Sequence, residues 1–424
     1  MQSFAEITAP NEPSRDRFGL ALLYAPLIAV TVLSKFAVPP LGAHGLGIAF
    51  VVFAMVMAAG VLTARMIVEP RRLILYLSVI ALLCLPQLLR PDPFSLSSLL
   101  LLAALHLVYV LRIEFATNVR TRALTFFLGL CAALALCGIA QFLLQLVVDA
   151  RLLFPIENFA PRAIVVQLYN QQAPLYYGAE LYRSNGVFLV EPSFFSQLLA
   201  LAIIVELCSR NRLAYLALYA LALLFSYSGT GLLILGVCMP LLVLVRRRWD
   251  LLIIGVCAAL LLAAFREYPF LEALLARGGE LSATGSSGYA RFVGGFLMFD
   301  QFLWDDPWRA LLGFGAGSFN EYAQFARYPA SEMPVFKMIF EFGLAGTALY
   351  FGFIFYCVFA TAAPLLVRTA IASTFLLNGM YMPFAHGLAL SLLIWCAPAR
   401  GLSAATQMPA LRLPRDLIPS GGSR

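Results

Sequence analysis

Runs of about 20 apolar residues, the length of helix that crosses a hydrocarbon core of roughly 30 Å, recur along this chain between residues 18 and 397. No water reaches the backbone of such a segment inside a bilayer, so each must satisfy its own hydrogen bonds as a helix. The strands of a transmembrane β-barrel instead alternate over about 10 residues. The continuous apolar run over residues 99–110 excludes that architecture. The chain therefore reads as an all-α polytopic membrane protein. Its 12% charged residues, against about 25% in soluble domains, agree.

Charge is informative here by position. Of the 29 basic residues all but Lys35 and Lys337 are arginine. Four short clusters, Arg65/Arg71/Arg72, Arg112/Arg120/Arg122, Arg210/Arg212 and Arg246/Arg247/Arg248, hold eleven arginines against three acids, Glu69, Glu114 and Asp250. Basic short loops mark the cytoplasmic face. Two long segments differ: residues 149–183 have three arginines and three acids, and residues 266–332 have five arginines and eight acids. Both are expected on the opposite, periplasmic face.

The resulting organisation is a cytoplasmic tail at 1–17, five spans within 18–148, a first periplasmic loop at 149–187, four spans within 188–265, a second periplasmic loop at 266–333, further spans within 334–397 and a cytoplasmic tail at 398–424. The sequence Asn378-Gly-Met-Tyr-Met-Pro383 is either a kink or a turn between two short helices. Arg400, Arg412 and Arg415 in the tail favour an even number of crossings. Twelve transmembrane helices are expected, with eleven as the alternative. The N-terminus lacks a short apolar region with a small-residue cleavage site, so the first span reads as a retained anchor. Structureless links beyond about 12–15 residues are uncommon. Ile164, Tyr169, Tyr176 and Tyr177 in the first loop, and Trp304, Trp308, Phe319 and Tyr322 in the second, predict short helices over the outer mouth of the bundle.

Several function classes lose support. The eight cysteines lie in or beside apolar segments, without ligand spacing, and the three histidines are far apart in sequence, so neither a disulfide framework nor a metal site is expected. No soluble basic patch with interleaved aromatics suggests nucleic acid.

Charged residues at the edge of apolar segments are the candidates for chemistry. Arg183 and Glu191 flank the stretch that enters the sixth span; an arginine there suits bidentate phosphate binding and a desolvated glutamate suits base work. A boundary ion pair is the simpler alternative. Arg291 precedes Gly313-Phe-Gly-Ala-Gly-Ser-Phe319, whose glycines either admit a ligand to the backbone or form a turn. Arg327 and Glu332 stand before the helix begun by Met333-Pro334, a setting for anion binding and base work or for an ordinary acid at a helix start. Gly343 and Gly346 suggest close helix packing. Lys35, His106, Glu206, Lys337 and His386 read as interior polar groups or charges at helix ends.

Three stretches taken in order, Arg183-x-Asn-Gly-x-Phe-x-x-Glu-Pro-Ser, Ser226-Tyr-Ser-Gly-Thr-Gly231, and Arg291 followed by Gly313-x-Gly-x-Gly-x-Phe and Glu341-Phe-Gly-Leu-x-Gly346, make the chain resemble the bacterial O-antigen polymerase and O-antigen ligase superfamily of membrane glycosyltransferases. The resemblance covers about the C-terminal two-thirds. It implies an enzyme that joins oligosaccharides carried on undecaprenyl diphosphate at the periplasmic face of the inner membrane, with no cofactor and no required metal. It further implies Arg183, Arg291 and Arg327 as diphosphate binders, Glu191 or Glu332 as the base, and a flippase and chain-length regulators as partners beside the lipid bilayer. Ligases of that superfamily usually carry a histidine nine residues before the position of Glu341, where this chain has Glu332. A polymerase for an O-antigen or exopolysaccharide repeat unit is therefore expected over a ligase or a protein O-glycan transferase. A transporter of an anion or a lipid-linked sugar is the alternative of another class, and predicts charges near the midplane in matched halves.

Overall fold

A computed structural model describes residues 13–39, 47–89, 93–113, 117–167, 169–176, 178–247, 249–250, 255, 264, 279 and 282–392. Both tails, most of the expected span at 250–265 and the first part of the second loop lie outside the described residues. The membrane-type helices are α1 (Pro13–Thr31), α2 (Ile48–Leu62), α3 (Pro70–Leu88), α4 (Leu96–His106), α5 (Thr117–Leu144), α8 (Pro192–Ser209), α9 (Leu213–Phe225), α10 (Gly229–Arg246), α15 (Pro334–Phe359), α16 (Leu365–Asn378) and α17 (Pro383–Ser391). The first long loop carries α6 (Ala150–Leu153) and α7 (Pro155–Phe159); the second carries α11 (Ser287–Phe292), α12 (Gly294–Phe302), α13 (Pro307–Leu312) and α14 (Ser318–Ala323). Two three-residue strands, β1 (Met66–Val68) and β2 (Leu111–Ile113), pair antiparallel.

The chain is thus a helical membrane-type protein, but among the described residues twelve full spans do not appear, nor eleven. Five helices among the described residues are long and apolar enough to cross a membrane: Pro70–Leu88, Val119–Leu144, Pro192–Ser209, Gly229–Arg246 and Pro334–Phe359. Five of the expected spans are shorter apolar helices, because local signals stop them early. Helix α1 ends at Thr31 in a turn, and the α4 run tightens into a 3₁₀ turn over Leu107–Val110 before turning into β2. The final apolar stretch is two helices, parted before Pro383, whose ring opens the first turn of α17.

Helix α8 is the axis of the bundle, buried along 89% of its span and packed against α5, α9, α10 and α16. Helices α1, α3, α5, α9 and α16 end at one end of the bundle, where α2, α4, α8, α10, α15 and α17 begin. At the other end the β1–β2 pairing sets Ile67 opposite Arg112, and the Arg210 guanidinium bonds Thr125 in the first part of α5. The arginine clusters therefore gather at the end opposite the two long loops.

Candidate functional site

The stretch before α8 is a strap held from below by a buried polar network. Gln141 of α5 accepts from the Ser184 hydroxyl (3.0 Å) and the Asn185 amide N–H (3.1 Å) through its Oε1, while its Nε2 donates to Asn185 Oδ1 (3.1 Å). The Lys35 ammonium, after α1, donates to both the Glu157 carboxylate and the Val187 carbonyl. This support matters because Gly186 and Val187 both have positive φ (67° and 68°), and for a β-branched residue that conformation is strained. Beyond the strap Glu191 stands directly before α8, whose first turn opens with Pro192. The Ser226–Gly231 turn backs the same helix end: Thr230 donates to the Ser193 carbonyl (3.0 Å), and a Cβ on Gly231 would lie 2.3 Å from the Ser196 carbonyl oxygen.

Across from the strap, the second loop folds back onto the start of α15. Ser331 N–H donates to the Ala290 carbonyl (2.9 Å), which brings the segment bearing Glu332 against the helix bearing Arg291. An aromatic cluster of Phe299, Phe319, Phe336 and Phe340 fills the space between the short helices and α15. Helix α15 then breaks at Gly343 (φ 69°, ψ −178°). Its Phe340 and Glu341 carbonyls, without helical partners at the break, accept the N–H groups of Phe314 (2.8 Å) and Gly315 (2.9 Å). A Cβ on Gly313 would come within 2.4 Å of the Glu341 carbonyl, and one on Gly343 within 2.2 Å of the Leu311 carbonyl. The glycine-rich loop therefore serves an approach of backbone to α15.

Between these two walls lies a cavity of about 620 Å³ lined in part by Glu191, Arg291, Glu332, Lys337, Tyr169 and Tyr381. Glu191 Oε2 accepts from Arg291 Nη2 (3.2 Å) and the Ser193 hydroxyl (2.9 Å), and its Oε1 from the Asn170 amide N–H (3.1 Å). Three donors thus occupy most of the about four acceptor positions of a carboxylate. Glu332, with a side chain 49% exposed, pairs with the Lys337 ammonium. Lys337 also stands 3.7 Å from Glu341 and 5.1 Å above the Tyr381 ring, and Tyr381 donates to Glu341 Oε2 (3.2 Å). Burial first, then the charges of Glu191 and Glu332, raises the Tyr169 phenol above its ordinary range.

Of the residues expected from sequence, Glu191, Arg291 and Glu332 line this one cavity, although they lie in segments far apart in the chain. Arg183 stands behind them: its Nη2 donates to the Leu175 carbonyl (3.1 Å) and its Nε has no partner among the described residues. Burial, then the neighbouring Arg291 charge, pushes its guanidinium down to about 10. Arg327 is exposed and is not among the residues lining the cavity; its N–H is held by Gln301 Oε1 of α12 (2.9 Å), in an irregular segment that does not set it on one face with Glu332. Lys337, read from sequence as an interior polar group or a charge at a helix end, Tyr169, read as part of a loop helix, and Tyr381, read as part of a kink or turn, also line the cavity; Lys337 and Glu341 at i, i+4 carried a signal. His106 and His386 are sealed in the bundle, bonded to Tyr350 and Tyr109 (3.0 Å each). Among the described residues no three of His, Cys, Asp or Glu come together as a metal site.

The arrangement offers cations and carboxylates in one polar chamber between apolar helices, which suits an anionic substrate with an apolar anchor and a proton to be moved. No family model matches the chain, and neither a curated protein nor a solved structure matches it.

Proposed function

We propose that the protein is a polysaccharide polymerase that joins oligosaccharide repeat units carried on undecaprenyl diphosphate, working in the chamber between α8 and α15 on the periplasmic side of the inner membrane. The observation that carries this is the meeting of Glu191, Arg291, Glu332 and Lys337 in one cavity of about 620 Å³, large enough for sugars together with a diphosphate by comparison with ligand sites of about 300–1,000 Å³. The reaction is a displacement at the anomeric carbon of one lipid-linked glycan by a terminal hydroxyl of another. Arg291 takes the leaving diphosphate in exchange for its ion pair with Glu191, and Arg183 adds charge behind it; preorganised cations at developing negative charge act this way. Glu332 serves as base, since it is half exposed and bound only by Lys337 among the described residues, whereas Glu191 is filled by three donors. Arg327, away from the cavity, has no part in it.

The test is glycan chain length in a strain lacking the gene, complemented with wild type, Arg291→Ala or Glu332→Gln at matched membrane levels. Single repeats from the null strain and both variants, against long chains from wild type, support the reading. Full-length chains left on the lipid carrier indicate a ligase instead. Normal chains in every strain refute both. A second reading, a transporter of a lipid-linked sugar or an anion, is favoured by one feature: α15 is broken at Gly343 with buried Glu341 beside the break, as in carriers built on interrupted helices. Uptake or flipping of lipid-linked sugar by reconstituted protein, with no change in chain length, would favour it.

A further inference from the structure

Beside the main chamber, on the far side of Tyr169, lies a second pocket of about 270 Å³ whose other lining residues include Glu157, Arg162, Gln167, Asn170, Gln171 and Gln172. Four of its nine lining residues are amides. Two of its buried side-chain atoms have no hydrogen-bond partner among the described residues, Glu157 Oε2 and Gln171 Oε1, and both are acceptors. The Glu157 side chain is only 7% exposed, and its other oxygen already takes the Lys35 ammonium and Asn185 Nδ2 (3.2 Å). The Gln171 amide is fixed in orientation because its Nε2 faces the Val166 carbonyl at 2.6 Å, which leaves the oxygen toward the unpaired side. Asn185 Nδ2 also donates to the Gln171 backbone carbonyl (2.9 Å), so one side chain ties the two acceptor-bearing residues together.

A buried acceptor left without a donor is costly, and two in one pocket call for a ligand bearing neighbouring donors. A phosphate, which brings acceptors, is poorly matched to them. Vicinal hydroxyls are well matched, and the Tyr169 ring adds the apolar face and polar tip that suit an amphipathic ligand. A volume just under the about 300–1,000 Å³ of drug-sized sites suits one sugar ring and not a chain. Asn170 connects the two chambers, since its side chain belongs to this pocket and its backbone N–H holds Glu191. We infer that this pocket binds one uncharged pyranose residue of the glycan, next to the sugar that reacts, and so selects the repeat unit. The choice of a glycan rests on the polymerase reading; the binding site itself does not.

The experiment is saturation-transfer NMR on the protein in lipid nanodiscs with methyl α-D-glucopyranoside, methyl β-D-galactopyranoside, methyl α-D-mannopyranoside and methyl α-L-rhamnopyranoside as probes. At least one is expected to receive saturation. Gln171→Ala should weaken it by about tenfold, the effect of one good buried hydrogen bond, and Asn170→Trp, which fills the pocket from an exposed position, should remove it. Arg327→Ala, outside both pockets, should leave it unchanged. Silence from all four glycosides, binding that survives Asn170→Trp, or binding lost in Arg327→Ala would overturn the inference. Because Asn170 is exposed, that variant decides the matter even if Gln171→Ala does not fold. A glycoside bound here while Arg291→Ala cells still make full-length glycan would keep the pocket and remove the polymerase.

Discussion

The chain's only two lysines are both buried beside carboxylates, and they do different things. Lys35 is fully buried and spends two of its three donors on the Glu157 carboxylate and on the Val187 carbonyl of the strap before α8. Lys337 pairs with Glu332 and stands near Glu341, but its group opens into the 620 Å³ chamber with Arg291 and Tyr381. A buried ion pair is thus not by itself a sign of chemistry. What separates the two is access: the first pair fixes a backbone that two consecutive positive-φ residues would otherwise strain, and the second leaves a half-exposed carboxylate where a ligand can meet it. The His106–His386 core, with rings 4.6 Å apart and both side chains buried, belongs with the first kind.

The contrast can be broken in several ways. The largest effect should come from Glu332→Gln, which removes the base and should slow chain extension by about 10²–10⁴-fold while changing the melting temperature little. Lys35→Met should do the reverse: leaving Glu157 buried without its cation costs about 3–5 kcal/mol, read as a lowered melting temperature, with turnover per folded molecule retained. Equal loss of turnover in Lys35→Met and Glu332→Gln would erase the distinction. Glu191→Gln, which loosens one charged hydrogen bond to Arg291, should fall between them at about tenfold in turnover. Arg327→Ala should stay within about twofold in both readouts, as for an exposed residue outside the site.

Much of this was legible in the chain, for reasons that are local. Apolar runs and arginine clusters are properties of a segment, so the helical membrane class and the gathering of Arg112, Arg122 and Arg210 away from the long loops could be read directly. Glu191 and Glu332 could be named because a charge at the edge of an apolar segment is expensive to keep there, and Arg291 because it precedes the glycine-rich stretch at 313–317. How far each helix runs could not be read: hydropathy measures the run, while the ends of α1, α4 and α9 are set by turns and by packing. Nor could the companions Tyr169 and Tyr381, since a tyrosine near a membrane surface is ordinary until the fold sets it beside a carboxylate. Arg327 was grouped with Glu332 by nearness in sequence alone, and Gln301 holds its backbone to another helix. The glycines at 313, 315 and 317 look ready for a ligand until the fold shows what they approach: the break in α15 at Gly313, and Phe94 and Ser95 before α4 at Gly315 and Gly317.

The central claim, that chain extension takes place in the chamber between α8 and α15, is tested most directly with Arg291→Ala. Purified wild type and variant in proteoliposomes would be supplied with the glycolipid that accumulates in the null strain, with melting curves run alongside. We expect the variant to melt with wild type and to extend chains about 10²–10³-fold more slowly, the usual loss when one preorganised group at developing charge is removed. Extension at the wild-type rate by a variant that folds normally would contradict the account.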